Sequence, residues 1–136
     1  MRFSIHHLKV SIIGLLIILL VYVESNSYVV HTMEVMATAY NSLPSQTDWN
    51  HPTLAAWGDT LEPGIKCIAV SRDLIQMGLS HKAEVTIEGF PGSFLVLDKM
   101  NKRHKKSIDI YMGVDRTAAN QWGKQKVIIS WKVSKY

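Results

Sequence analysis

The apolar residues of this chain arrive in short β-type runs, divided by turn-forming residues, and this limits its fold more than any other feature. Lys66–Val70, Ala83–Glu88, Ser93–Leu97, Ser107–Met112 and Lys126–Val133 are rich in β-branched and aromatic side chains, which suit a pleated, half-buried surface. A longer run, Tyr28–Tyr40, has the same character with imperfect alternation. Turn signals fall at intervals of about 8–12 residues, the spacing of a small barrel or sandwich. The pattern alone does not separate the two. Ser71 is placed to cap a short helix Arg72–Met77 ended by Gly78, and Asp115 to cap Arg116–Trp122 closed by Gly123. No internal repeat suggests a solenoid. The class is mainly β with two short helices.

The N-terminus is organised differently. Met1–Lys9 carries Arg2 and Lys9 without an acid, and Ser11–Val23 is a continuous apolar run of 13 residues. A positive segment followed by a short apolar one is the pattern of a secretory signal, and it falls short of the roughly 20 residues that span a bilayer. Ser25 and Ser27 supply small residues for cleavage. Residues 1–27 are therefore expected to be a signal peptide or a retained membrane anchor, and 28–136 an exported domain of the periplasm or cell envelope. That leaves 109 residues, enough for one modest core.

At 47% hydrophobic and 19% charged, the chain is not a disordered tail. One cysteine excludes an internal disulfide, and Cys67, within a strand-like run, reads as a small buried hydrophobe. The formal net charge of +4 is a mild excess that does not indicate nucleic acid. A monomer is expected. His31, His51, His81 and His104 show no metal-ligand spacing, so neither metal nor cofactor is expected.

The segment Asn41–Pro63 reads as a long polar loop containing Trp49 and Trp57. Loops of this length are usually functional or disordered, and two tryptophans argue for order. Trp49, Trp57 and Trp122 are placed either to stack on sugar rings or to fill the core. Glu84 and Glu88 lie on the polar face of an alternating strand. Asp98 and Asp109 stand apart. Asp98 ends the apolar run Phe94–Leu97, and Asp109 interrupts Ile108 and Ile110. If their strands pair as a hairpin, the two carboxylates meet at a barrel mouth, where repulsion raises one pKa. Paired carboxyls are what glycoside cleavage requires. Otherwise they are ordinary surface aspartates. Lys102–Lys106 is a basic run, either a solvated loop, or a surface for an anionic polymer or a charge that lowers the pKa of a nearby aspartate.

Taken in order, these segments resemble the 3D (three-aspartate) domain, a double-psi β-barrel similar to the membrane-bound lytic transglycosylase MltA and to RlpA-like barrels. The resemblance runs from about Met36 to Trp131. It rests on Ala37-Thr-Ala-Tyr40, Glu62-Pro-Gly64, Ile68-Ala-Val70, Leu97-Asp98, Ile108-Asp-Ile-Tyr111, Ala118-Ala119 and Trp122-Gly123. It implies an enzyme that cleaves the MurNAc–GlcNAc bond of peptidoglycan glycan strands without water, leaving a 1,6-anhydro end. Asp98 would be acid and base, and Asp109 would orient it or stabilise charge. Thr38, Tyr40, Trp57 and Lys99 would bind substrate.

The chain departs from the family pattern at three places. Ser71 stands where the first aspartate is usual, with Asp73 two residues on. The family's Thr-x-x-Gly loop is Leu54-Ala-Ala-Trp-Gly58, followed by an extra carboxylate, Asp59. Met100–Lys106 replaces a glycine-rich segment. The missing first aspartate favours the rival expectation, a non-catalytic barrel that binds peptidoglycan.

Overall fold

The computed structural model describes residues 12–21, 27–41, 54–113 and 115–135. Trp49, His51, Arg2, Lys9, Ser25 and most of the polar loop lie outside the described residues. The chain divides into two compact units, Val30–Lys132 and Met1–Val29 with Val133–Tyr136. In the second of these, α1 (residues 12–21) exposes its large apolar side chains, Leu15 at 71%. Among the described residues, no helix is long and apolar enough to cross a membrane. The N–H of Lys135 donates to the carbonyl of Ser27.

The other unit is a closed barrel. The strands of the chain are β1 (Tyr28–Tyr40), β2 (Cys67–Val70), β3 (Glu84–Ile87), β4 (Ser93–Lys99), β5 (Ser107–Tyr111) and β6 (Gln125–Ser134), of which the barrel unit takes β1 from Val30 and β6 up to Lys132, with α2 (Arg72–Gln76) after β2 and α3 (Arg116–Trp122) before β6. Around the barrel the order is β1-β5-β2-β4-β3-β6. Two parallel pairs, β1/β5 and β2/β4, are joined through the antiparallel contact of β2 with β5. Strand β3 pairs antiparallel with β4 and β6. The expected small, mainly β barrel is what forms.

Burial explains why these runs become these strands. Val85 and Ile87 are buried while Glu84 and Thr86 are exposed, so β3 covers the core with one face only. By contrast, all four residues of β2 are buried, as a near-continuous apolar strand requires when both faces are covered. On one side of β2 lies the main core, with Ile68, Val70, Val96, Ile108, Ile110 and Ile129 nearly inaccessible. On the other, Cys67, Leu97 and Tyr111 pack with Ala55 and Leu61. The segment 54–65 thus acts as a cover over the outer face of β2.

Three local expectations are revised. First, β4 and β5 do not form a hairpin, because β2 lies between them. The sequential rule yields to barrel closure. Second, β4 continues through Asp98 to Lys99. Third, Ser71 precedes α2 without a side-chain capping bond. Its buried hydroxyl instead accepts the N–H of Ser107 and ties the start of α2 to β5. Asp115 does cap α3, accepting the N–H of Ala118 at 2.9 Å. Asp115→Ala is accordingly expected to cost about 1 kcal/mol, measured by denaturant unfolding with an unchanged m-value.

Candidate functional site

Strand register builds the site. Thr38 of β1 stands opposite Asp109 of β5, Asp109 opposite Ala69 of β2, and Ala69 opposite Asp98 of β4. The four residues form one row across four adjacent strands. Their Cα atoms step by about 4.8 Å, which sets the two aspartates roughly two steps apart, with only a methyl group between. Ile108 and Ile110 are buried on the inward face, so Asp109 faces the other way.

Asp98 reaches the same row through an irregularity. Ile68 pairs with Val96, but Ala69 pairs with Asp98, leaving Leu97 as an extra residue. This is a β-bulge, a device that re-aims a side chain. Leu97 consequently packs in the outer cluster beside Cys67, and Asp98 follows it onto the same face.

A pocket of about 210 Å³ opens over the row, lined by Tyr40, Ala69, Asp98, Lys99, Met100, Asn101, His104 and Asp109. Its two carboxyl groups have different surroundings. Burial raises the pKa of Asp109, and the charge of Asp98 adds to that. The Thr38 hydrogen bond and His104 act in the opposite direction without cancelling it. The Thr38 hydroxyl donates to Asp109 Oδ1 at 2.9 Å. Asp98 is anchored by backbone donors instead: its Oδ1 accepts the N–H of Ala56 at 2.8 Å and that of Lys99 at 2.8 Å. One group is disposed to hold a proton, and the other is gripped by two N–H groups at one oxygen.

The remaining candidates fall into two sets. Tyr40 lines the pocket, and its hydroxyl is raised well beyond the ordinary range by burial first and then by Cys67, Asp98, Asp109 and Tyr111. It stays a neutral donor. Lys99 also lines the pocket, with Nζ 4.8 Å from the centre of the Trp57 ring. Trp57 stacks on His81 with centroids 5.1 Å apart and is not in the pocket wall. Asp59 is not brought into the pocket either, because its Oδ2 lies 2.5 Å from His81 Nε2.

Asp73 sits away from the row and accepts the N–H of Lys106 at 2.9 Å. Burial opposes its charge, but hydrogen bonds from Ser71 and from the N–H groups of Lys106 and Asp73 itself, with the charge of Lys105, outweigh that. Its pKa is lowered. Trp122 packs against Phe90. Cys67 is buried, and burial, then the charge of Asp98, push its thiol up to about 12, with the nearby Tyr40 acting in the opposite direction. It is no nucleophile at neutral pH.

Sequence reasoning missed His81, and it reached His104 only as part of the basic run Lys102–Lys106. His104 is presented by a turn in which Asn101 accepts the N–H of Arg103 on its side chain and that of His104 on its carbonyl. Its Nε2 accepts Nε–H of Arg103 at 3.3 Å. Its position in the segment joining Asp98 to Asp109 was the available signal. Lys102, Arg103, Lys105 and Lys106 are exposed around it. Among the described residues, no group of three or more His, Cys, Asp or Glu is arranged to hold a metal ion.

No family model matches the chain, and no curated protein matches it. Among solved structures, the chain is similar to an expansin from Clavibacter michiganensis in its apo form, at 16% identity and a TM-score of 0.48, over 78% of this chain and 52% of that one. The chain thus spans about half the length of that structure.

Proposed function

We propose that this barrel cleaves a cell-wall glycan, acting on peptidoglycan as an exported lytic transglycosylase. The observation that carries the reading is the pair of unlike carboxyl groups on one strand row, lining one pocket. The motif resemblance adds weight, since Ala37–Tyr40, Ile68–Val70, Leu97–Asp98 and Ile108–Tyr111 lie on the four strands that build the row. The roles expected from the resemblance are exchanged. Asp109, half-buried and with its pKa raised, is the acid and base, and Asp98 is the carboxylate beside it.

In this mechanism Asp109 gives its proton to the glycosidic oxygen as the C1–O bond breaks. The positive charge that develops on the sugar ring is met by the carboxylate of Asp98. The C6 hydroxyl oxygen then bonds to C1, and its proton passes to Asp109. The acid is regenerated and no water is consumed. Thr38 holds the Asp109 carboxyl in place, while Tyr40 and Lys99 bind substrate at the pocket wall.

The basic segment at the pocket rim favours a second reading, a barrel that holds glycan strands without cutting them. Incubation of the protein and of Asp109→Asn with peptidoglycan sacculi, followed by mass spectrometry of the soluble products, separates the two. Anhydro-ended fragments from wild type only would support the transglycosylase. Reducing ends would make it a hydrolase. Co-sedimentation without any soluble product would favour the binding barrel.

A further inference from the structure

We propose that His81 is a positioning residue for this site, acting through Asp59 to hold the 54–60 turn so that the Ala56 N–H grips Asp98. The inference rests on the reading of Asp98 as part of the working site. The turn is slight. Leu54 and Thr60 form an isolated bridge, Ala55 N–H donates to the carbonyl of Asp59, and Gly58 N–H, at a φ of 90°, donates to the carbonyl of Ala55. A two-stranded turn of this size is at best marginally stable alone.

Three attachments fix it to the barrel. Ala55 and the adjoining Leu61 pack on Cys67 and Leu97. The Ala56 N–H reaches Asp98 at 2.8 Å. At the tip, Asp59 Oδ2 meets His81 Nε2 at 2.5 Å, and Trp57 stacks on the same imidazole. His81 is itself well placed to anchor. The turn that carries it is tied to β4 by Lys82 N–H donating to the carbonyl of Val96 at 2.8 Å. Both ends of the link therefore terminate on β4, at Val96 and at Asp98. Removing the His81 attachment leaves the apolar packing intact but frees the tip, and the Ala56 N–H can then swing from the carboxylate.

The test is the hydrogen exchange of the Ala56 amide, followed in wild type, His81→Ala, His81→Gln and Asp59→Ala, with the Ile68 amide as a control of global stability. Faster Ala56 exchange in His81→Ala and Asp59→Ala, with Ile68 unchanged, is the expected result. His81→Gln, which keeps a donor for Asp59, should restore most of the protection. On sacculi, His81→Ala should lose kcat by about 10- to 100-fold with KM little changed, the usual consequence of a small misplacement of a reacting group. Unchanged Ala56 protection in both His81→Ala and Asp59→Ala would overturn the inference, as would a His81→Gln variant no better than His81→Ala. Should wild type lack turnover altogether, the glycan-cleavage reading fails, and the exchange comparison alone still decides for or against the clamp.

Discussion

Asp109→Asn is expected to abolish glycan cleavage while making the barrel more resistant to heat at pH 7. A positioned acid and base contributes about 10²- to 10⁴-fold to rate, and Asn can neither give nor take that proton. Fold and site geometry should persist, since the Asn side-chain oxygen can accept from Thr38 as Oδ1 does now. The stability gain follows from the raised pKa of Asp109 and its cause, burial. A carboxyl raised in the folded state binds more protons there than in the unfolded chain, so stability falls as pH rises between the two values.

The penalty is absent below the unfolded value of about 3.9, grows as pH climbs to the folded value, and is fully present above it. A neutral amide does not suffer it. Thermal melts of both proteins from pH 4 to 8 should therefore converge at the acid end and separate towards neutrality, with the variant higher. A variant that still released anhydro-ended fragments would remove Asp109 from the acid role. A variant less stable at pH 7 would mean that the carboxylate is a structural group.

Asp98 carries the second large effect, and two substitutions divide its roles. Asp98→Ala removes the acceptor of both the Ala56 and Lys99 N–H groups. Losing one partner of a hydrogen bond costs about 1–3 kcal/mol where the other is left unsatisfied. Ala56 is exposed, so water can replace part of the loss, and the total belongs at the lower end. For a domain near 100 residues, 1 kcal/mol corresponds to roughly 4–8 °C in Tm. Asp98→Asn keeps an oxygen for both donors and should melt close to wild type. Both variants lose the negative charge that meets the sugar cation, and turnover should fall by about 10²- to 10³-fold in each, the size of effect seen when one electrostatic stabiliser is removed. If Asp98→Asn kept full activity, the carboxylate would be an anchor for the 54–60 turn and nothing more.

Much of this barrel was legible in the residues because its signals are local. Glu84-Val-Thr-Ile87 alternates because one face meets the core and the other meets water. Ile108-Asp-Ile110 required Asp109 to face away from its neighbours, and it does. Asp115, at the head of a short helix, needed only the N–H of Ala118, three residues on, to act as its cap. Ser71 looked equivalent, but its hydroxyl is spent on Ser107, a partner that only the packed barrel brings near.

The site followed the same division. The residue types, two aspartates on strands with a tyrosine and a lysine, were readable from the chain. Their meeting was not. Asp98 and Asp109 approach through Ala69, because β2 inserts between strands that are consecutive in sequence. The bulge at Leu97, the place of His104 in the pocket wall and the contact of Asp59 with His81 likewise exist only in the folded barrel. By itself the sequence determined the strands, the two helices of the barrel unit and which face of each strand is apolar, since periodicity and capping act over a few residues. Strand order, the unlike surroundings of the two carboxyl groups and the partner of each polar side chain were decided only by the tertiary structure. Closing a barrel pairs residues far apart in the chain, and burial differs from place to place only once it has closed.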